Sequence, residues 1–164
     1  MCGGSHEGLL AVYSLSKQSN LAGYRAAFVA GDPALIAGLV EVRRHAGMMM
    51  PGPVQAAMTV ALGDDEHVAD QRLRYGVRRE ILMEALTGVG LRIEHSEAGL
   101  YLWATRDEDC WDTVGWFAQR GILVGSGSFY GDAGRRHVRV ALTATDERIA
   151  AAAGRLSPGS HREA

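Results

Sequence analysis

Lysine is almost missing from this chain. Lys17 is the single lysine among 17 basic side chains, and all the others are arginines. A GC-rich genome favours Arg codons, which explains the arginines and leaves the exception. Arg stays protonated in proteins, whereas a Lys amine can become neutral and act as a nucleophile or base. Lys17 is therefore a candidate for work that Arg cannot do. Cysteine is scarce as well. Cys2 and Cys110 cannot build a disulfide framework, and no Cys-x-x-Cys pair exists. The 6 histidines have no His-x-x-x-His or similar spacing, so no metal is expected.

Neither sign of charge is in large excess: 17 basic against 19 acidic residues leave a net charge of -2. That argues against a nucleic-acid partner, which calls for a basic surplus. No apolar run reaches the length of a membrane span. The amino terminus lacks the positive region and apolar stretch of a signal peptide. The expectation is a cytoplasmic protein with no membrane or nucleic-acid partner. What remains is ordinary, with 47% hydrophobic and 22% charged residues as in soluble globular domains. A length of 164 residues fits one domain, or a small domain with a piece of another.

Along the chain, Leu9 to Tyr13 reads as a short buried strand. A polar loop, Ser14 to Asn20, follows, and then a second apolar run from Gly23 to Ala30. Gly31-Asp32-Pro33 predicts a helix with Asp32 as N-cap and Pro33 at the first helical position. That helix carries Leu35, Ile36, Leu39, Val40 and Val42 on its apolar side and ends near Gly47. Beyond the break at Pro51-Gly52-Pro53, Val54 to Leu62 is helical, and a longer helix runs from about Asp65 to Thr87. Its Arg72, Arg74, Arg78 and Arg79 read as a solvated face beside Asp70 and Glu80. From Gly88 short elements alternate. Strands are predicted at Leu91–Glu94, Gly99–Ala104, Ile122–Val124 and His137–Leu142. Helices are predicted from Asp109 to Gln119 and from an Asp146 cap to about Arg155. The class is α/β, with helices over a small sheet. The tail from Ser157 is polar, contains Pro and Gly, and reads as loose.

The chemistry gathers after the first strand. Ser14-Leu15-Ser16-Lys17 is followed by Gly23-Tyr24-Arg25, which places Arg25 eight residues after Lys17. This set suits a phosphate-bearing cofactor bonded to the lysine. Flanking hydroxyls can donate to phosphate oxygens, and a guanidinium can meet them with two parallel bonds. Gly23 lets the backbone turn without a Cβ clash. Ser-x-x-Lys is also the nucleophile motif of serine β-lactamases and penicillin-binding proteins. Those need a Lys-Thr-Gly strand, which a chain with one lysine cannot supply.

Ser-x-Ser-Lys with the later Gly-x-Arg resembles the signature of class I/II aminotransferases, the fold-type I enzymes that use pyridoxal 5'-phosphate. Three further segments agree in order. Pro51-Gly52-Pro53-Val54-Gln55-Ala56-Ala57 is similar to the family's lead into its interdomain helix. Ala98-Gly99-Leu100-Tyr101-Leu102-Trp103 is similar to the Gly-aromatic strand of its small domain. His137-Val138-Arg139-Val140-Ala141-Leu142 is similar to the strand whose Arg binds the substrate α-carboxylate. The resemblance covers residues 9–155, nearly the whole chain.

The resemblance implies a partial PLP-transferase fold: residues 1–63 from the large cofactor-binding domain, 64–90 as the interdomain helix, 91–156 as the small α/β domain, and 157–164 as the tail. It implies Lys17 as the residue that bonds the cofactor and moves a proton at the substrate Cα. Ser14, Ser16 and Arg25 would hold the phosphate, Ser14 being the more familiar ligand. Arg139 would clamp the α-carboxylate of an amino-acid or 2-oxo-acid substrate, on the strand face opposite Val138, Val140 and Leu142. A homodimer is implied for the intact enzyme. The family's Asp on the pyridine nitrogen lies before the lysine strand and has no counterpart here, so the chain reads as a truncated carboxy-terminal portion, inactive alone. Where the family often has Pro-Gly, this chain has Ser126-Gly127, which is expected to loosen that loop. The nearest subgroup resembles succinyldiaminopimelate aminotransferases, which act in lysine biosynthesis with 2-oxoglutarate as amino acceptor. The alternative reading is a non-catalytic remnant or dimerisation module.

Overall fold

A computed structural model describes residues 5–157 of the chain. Cys2 and the tail beyond Ser157 lie outside them. The chain divides into two compact units, Met1–Asp70 and Gln71–Ala164.

In the first unit, strands β1 (Leu10–Ser14) and β2 (Ala27–Gly31) pair antiparallel, from Leu10 opposite Gly31 to Ser14 opposite Ala27. The segment read as a polar loop instead contains a single helical turn, α1 (Leu15–Gln18), followed by a 3-10 turn at Ala22–Tyr24. The cause is local. Ser14 is extended and its side-chain oxygen accepts from the Ser16 N–H, an N-cap that starts a helix at once. Leu15 then points inward and is fully buried with Ala26 and Met58, against Leu21, Val54 and Ala61. Helix α2 (Pro33–His45) starts as its cap predicts, with Asp32 accepting from the N–H groups of Ala34 and Leu35. Gly31 is required before it: its φ is +148°, and a Cβ there would lie 2.1 Å from the Leu9 carbonyl oxygen. Helix α3 (Gly52–Leu62) completes the unit. β1, read as buried, is exposed along its length, with Val12 at 73%. A two-stranded sheet has more apolar face than the small core of this unit covers.

Helix α4 (Glu66–Gly88) contains the division between the units. In the second unit, β3 (Arg92–Ile93), β4 (Tyr101–Thr105), β5 (Gly125–Ser126) and β6 (Val138–Ala141) form one sheet in the order β3-β4-β6-β5, antiparallel throughout. Helices α5 (Cys110–Ala118) and α6 (Asp146–Leu156) and the later turns of α4 supply the other side of its core. Leu82, Leu86, Leu102, Phe117, Val138 and Ile149 meet there, each stabilising the fold by about 1.5–3 kcal/mol on full burial.

Four expectations are corrected. The strand predicted at Ile122–Val124 is absent: Leu123 is 95% exposed, and pairing begins only at Gly125. An apolar run does not make a strand when no partner edge lies opposite it. Arg78 and Arg79 are not on a solvated face. Arg78 is buried, with Nε 2.6 Å from Asp146 Oδ1 and Nη1 donating to the Leu142 carbonyl at 3.2 Å. Arg79 donates to the Ser96 hydroxyl at 2.7 Å and to the Gly99 carbonyl. Asp146 is the first residue of α6 rather than its cap; the cap position is Thr145. The Ser126-Gly127 loop is tied down, not loosened. Ser126 is buried, lies 3.2 Å from Cys110 Sγ, and accepts from the Ser128 N–H. Among the described residues, no helix is long and apolar enough to cross a membrane, and no cluster of His, Cys, Asp or Glu could hold a metal.

Candidate functional site

Ser14, Ser16, Lys17 and Arg25 all lie in the first unit, on the connection that joins β1 to β2. The cap turn sets the Ser14 hydroxyl 2.9 Å from the Ser16 hydroxyl. The same Ser14 oxygen is 3.4 Å from the carbonyl of Ala26, the residue after Arg25. The connection is drawn closed by backbone bonds from Leu15 N–H to Ala26 O and from Leu21 N–H to Leu15 O. Lys17 sits in the last turn of α1 with its side chain exposed. Arg25 is left-handed, φ 54°, and its Nη1 donates to the Ala22 carbonyl at 3.2 Å. A non-glycine residue rarely adopts that conformation, which costs about 1 kcal/mol or more. Among the described residues no carboxylate pairs with Lys17 or Arg25. Two clustered hydroxyls and two unneutralised cations make this connection receptive to an anion. Arg25 also borders a concavity of about 660 Å³ with mostly apolar walls such as Val12, Phe28, Leu39 and Met58, and Lys17 does not line it.

Arg139 lies in the second unit, in β6. The strand alternates as its sequence requires, with Val138 and Val140 buried on the core side and Arg139 on the other face. Trp103 stands opposite Arg139 in β4, and Gly125 opposite it in β5. The guanidinium carbon lies 4.2 Å from the Tyr101 ring centroid and 5.5 Å from that of Tyr130. Its Nε is buried with no hydrogen-bond partner, and no carboxylate among the described residues pairs with it. A cation held by rings rather than by an acid keeps its donors for a ligand.

The family model for class I and II aminotransferases matches residues 3–156. The chain belongs to this family. It is 64% identical over 157 residues to the 4-dedimethylamino-4-oxo-anhydrotetracycline transaminase of Streptomyces rimosus, covering 96% of this chain and 44% of that protein. It is 62% identical over 157 residues to a probable aminotransferase of Mycobacterium tuberculosis, covering 96% of this chain and 38% of that one. The solved N-succinyldiaminopimelate aminotransferase of Mycobacterium tuberculosis superposes with a TM-score of 0.80 over 94% of this chain and 42% of its own, at 23% identity, a likeness of fold alone. The chain thus spans less than half the length of these relatives.

Class I/II aminotransferases depend on pyridoxal phosphate, which offers a phosphate to grip and an aldehyde to bond. The paired Ser14 and Ser16 hydroxyls with Arg25 could hold a phosphate, and the exposed Lys17 amine could meet an aldehyde. Arg139, with no carboxylate partner among the described residues, could meet a substrate carboxylate with its guanidinium. Tyr101 and Tyr130, the rings around Arg139, were not singled out by the sequence. Tyr101 had a readable signal, since it lies on the same strand face as Trp103. Tyr130 had none, because its place depends on a 3-10 turn, Gly127–Tyr130, folding back over the sheet.

Proposed function

We propose that this chain serves amino transfer between an amino acid and a 2-oxo acid through pyridoxal phosphate. The observation that carries the reading is the lone Lys17 next in sequence to two hydroxyls 2.9 Å apart, with no acidic partner among the described residues, in a chain matched to the family almost end to end. Bound there, the cofactor supplies an electron sink for the substrate Cα. Lys17 provides the amine that bonds it and the base that moves the Cα proton. Ser14, Ser16 and Arg25 bind the phosphate. Arg139 orients the α-carboxylate through its planar fork of donors. A homodimer in the cytoplasm is part of the same proposal.

For the substrate pair, N-succinyldiaminopimelate with 2-oxoglutarate is the first proposal, supported by the likeness of the overall run of residues to that subgroup. The 64% identity to a transaminase named for an oxo-anhydrotetracycline favours a second reading, a polycyclic ketone as amino acceptor. A donor series decides between them. The chain is loaded with pyridoxal phosphate and given N-succinyldiaminopimelate, aspartate and glutamate in turn, and loss of the visible absorbance of lysine-bound cofactor is followed. Conversion fastest with the succinylated donor supports the first reading. Preference for aspartate refutes it. Conversion with glutamate that is reversed by a polycyclic ketone supports the second. Absence of any cofactor absorbance, or its persistence in Lys17→Ala, leaves the non-catalytic remnant as the better description.

A further inference from the structure

We infer that Tyr101 and Tyr130 are positioning residues that hold the Arg139 guanidinium for an incoming carboxylate. The inference rests on the reading of Arg139 as a carboxylate site and adds the residues that aim it. An arginine side chain has four flexible torsions, and fixing them on ligand binding lowers affinity. A site that holds the guanidinium beforehand avoids that loss.

The usual holder is a carboxylate, and among the described residues none pairs with Arg139. Arg78 in the same unit is held by Asp146, and Arg92 by Asp107 and Glu94. Their charges are answered within the protein. Arg139 is held instead by two ring faces. Tyr101 is its diagonal neighbour across the β4–β6 pair, where Trp103 is directly opposite, a spacing that aromatic side chains span. Tyr130 approaches at 5.5 Å from the 3-10 turn. Both distances are within the range in which the negative face of a ring attracts a cation.

The rings have a support of their own. Tyr130 meets Trp103 edge to face at 5.5 Å and 86°, and Trp103 stacks on His137 at 5.2 Å and 8°. Gly125 packs against the buried Nε edge, where a Cβ would lie 3.7 Å from both Cβ and Nε of Arg139. Rings attract the cation without using its N–H donors, so the guanidinium is ordered while its Nε has no acceptor among the described residues. An acidic holder would give order and consume the donors.

The test follows the Nε–Hε resonance of Arg139 in the nitrogen-15-labelled full chain, assigned by its loss in Arg139→Lys. Sodium acetate is titrated at constant ionic strength. In the unsubstituted chain the signal shifts saturably with acetate. Tyr101→Phe and Tyr130→Phe keep a ring face and bind acetate within about twofold of it. Tyr101→Leu and Tyr130→Leu weaken acetate binding by roughly threefold to tenfold and speed Hε exchange with water. Leu variants that match the unsubstituted chain in both readouts would overturn the positioning role alone. An Arg139 signal that ignores acetate in the unsubstituted chain would overturn the carboxylate reading itself. Tyr130 is half-exposed, so its Leu variant keeps the test open if Tyr101→Leu fails to fold.

Discussion

Arg78 in α4 reaches Asp146 at the start of α6, with Nε 2.6 Å from Oδ1, while its Nη1 donates to the backbone carbonyl of Leu142. One buried guanidinium therefore joins a helix, the end of a strand and a second helix start. Arg78→Met would strand the Leu142 carbonyl and lower unfolding free energy by about 1–3 kcal/mol. Asp146→Asn acts on the exposed partner and is expected to cost less than about 1 kcal/mol. Urea denaturation of the two variants checks the difference, and equal losses would contradict it.

Acid acts through Arg92. Its hydrogen bonds to Asp107 and to Glu94 are the leading cause holding both carboxyls below their ordinary range. A carboxyl depressed in the folded state takes up its proton first in the unfolded chain. The stabilisation is therefore present above the unfolded value, about 4, and is lost as pH falls through the folded one. Arg92→Met should lower the denaturation midpoint at pH 6 and match the unsubstituted chain near pH 2. A loss of the same size at both pH values would assign Arg92 a packing role only.

The loop after β5 depends on two glycines in backbone contact. A Cβ on Gly127 would lie 2.1 Å from the Gly134 carbonyl oxygen, and one on Gly134 equally close to the oxygen of Gly127. Gly127→Ala must push these segments apart, at a cost of about 1–3 kcal/mol, and it shifts Tyr130 with them. Gly125→Ala meets only ordinary contacts and is expected to be tolerated. Thermal denaturation of the pair reads the contrast.

The sequence made legible whatever short-range chemistry decides. Asp32 and Pro33 announce α2, Asp109 announces α5, and the alternation Val138, Arg139, Val140 puts one guanidinium outside the core. It concealed what depends on partners far along the chain. Arg78 reads like any other arginine on a polar face, because Asp146 and Leu142 are distant in sequence. Ile122–Val124 has the composition of a strand, but the edge of β6 is met two residues later. Ser126 reads as a lost proline until Cys110 is seen against it. The α1 turn is the exception, a local feature whose signal is ambiguous because Ser14 suits a phosphate ligand and a helix cap alike.

Because lysine is so scarce, a cofactor bonded to this chain can be assigned to one side chain. The chain is incubated with pyridoxal phosphate, reduced with borohydride, digested and mapped by mass spectrometry, with inorganic phosphate as competitor. With one lysine, the only rival amine is the amino terminus. A saturable adduct is expected on Lys17, suppressed by phosphate and weakened by about tenfold or more in Arg25→Ala. An adduct confined to the amino terminus, or one on Lys17 indifferent to phosphate and to Arg25, would contradict the assignment of Lys17.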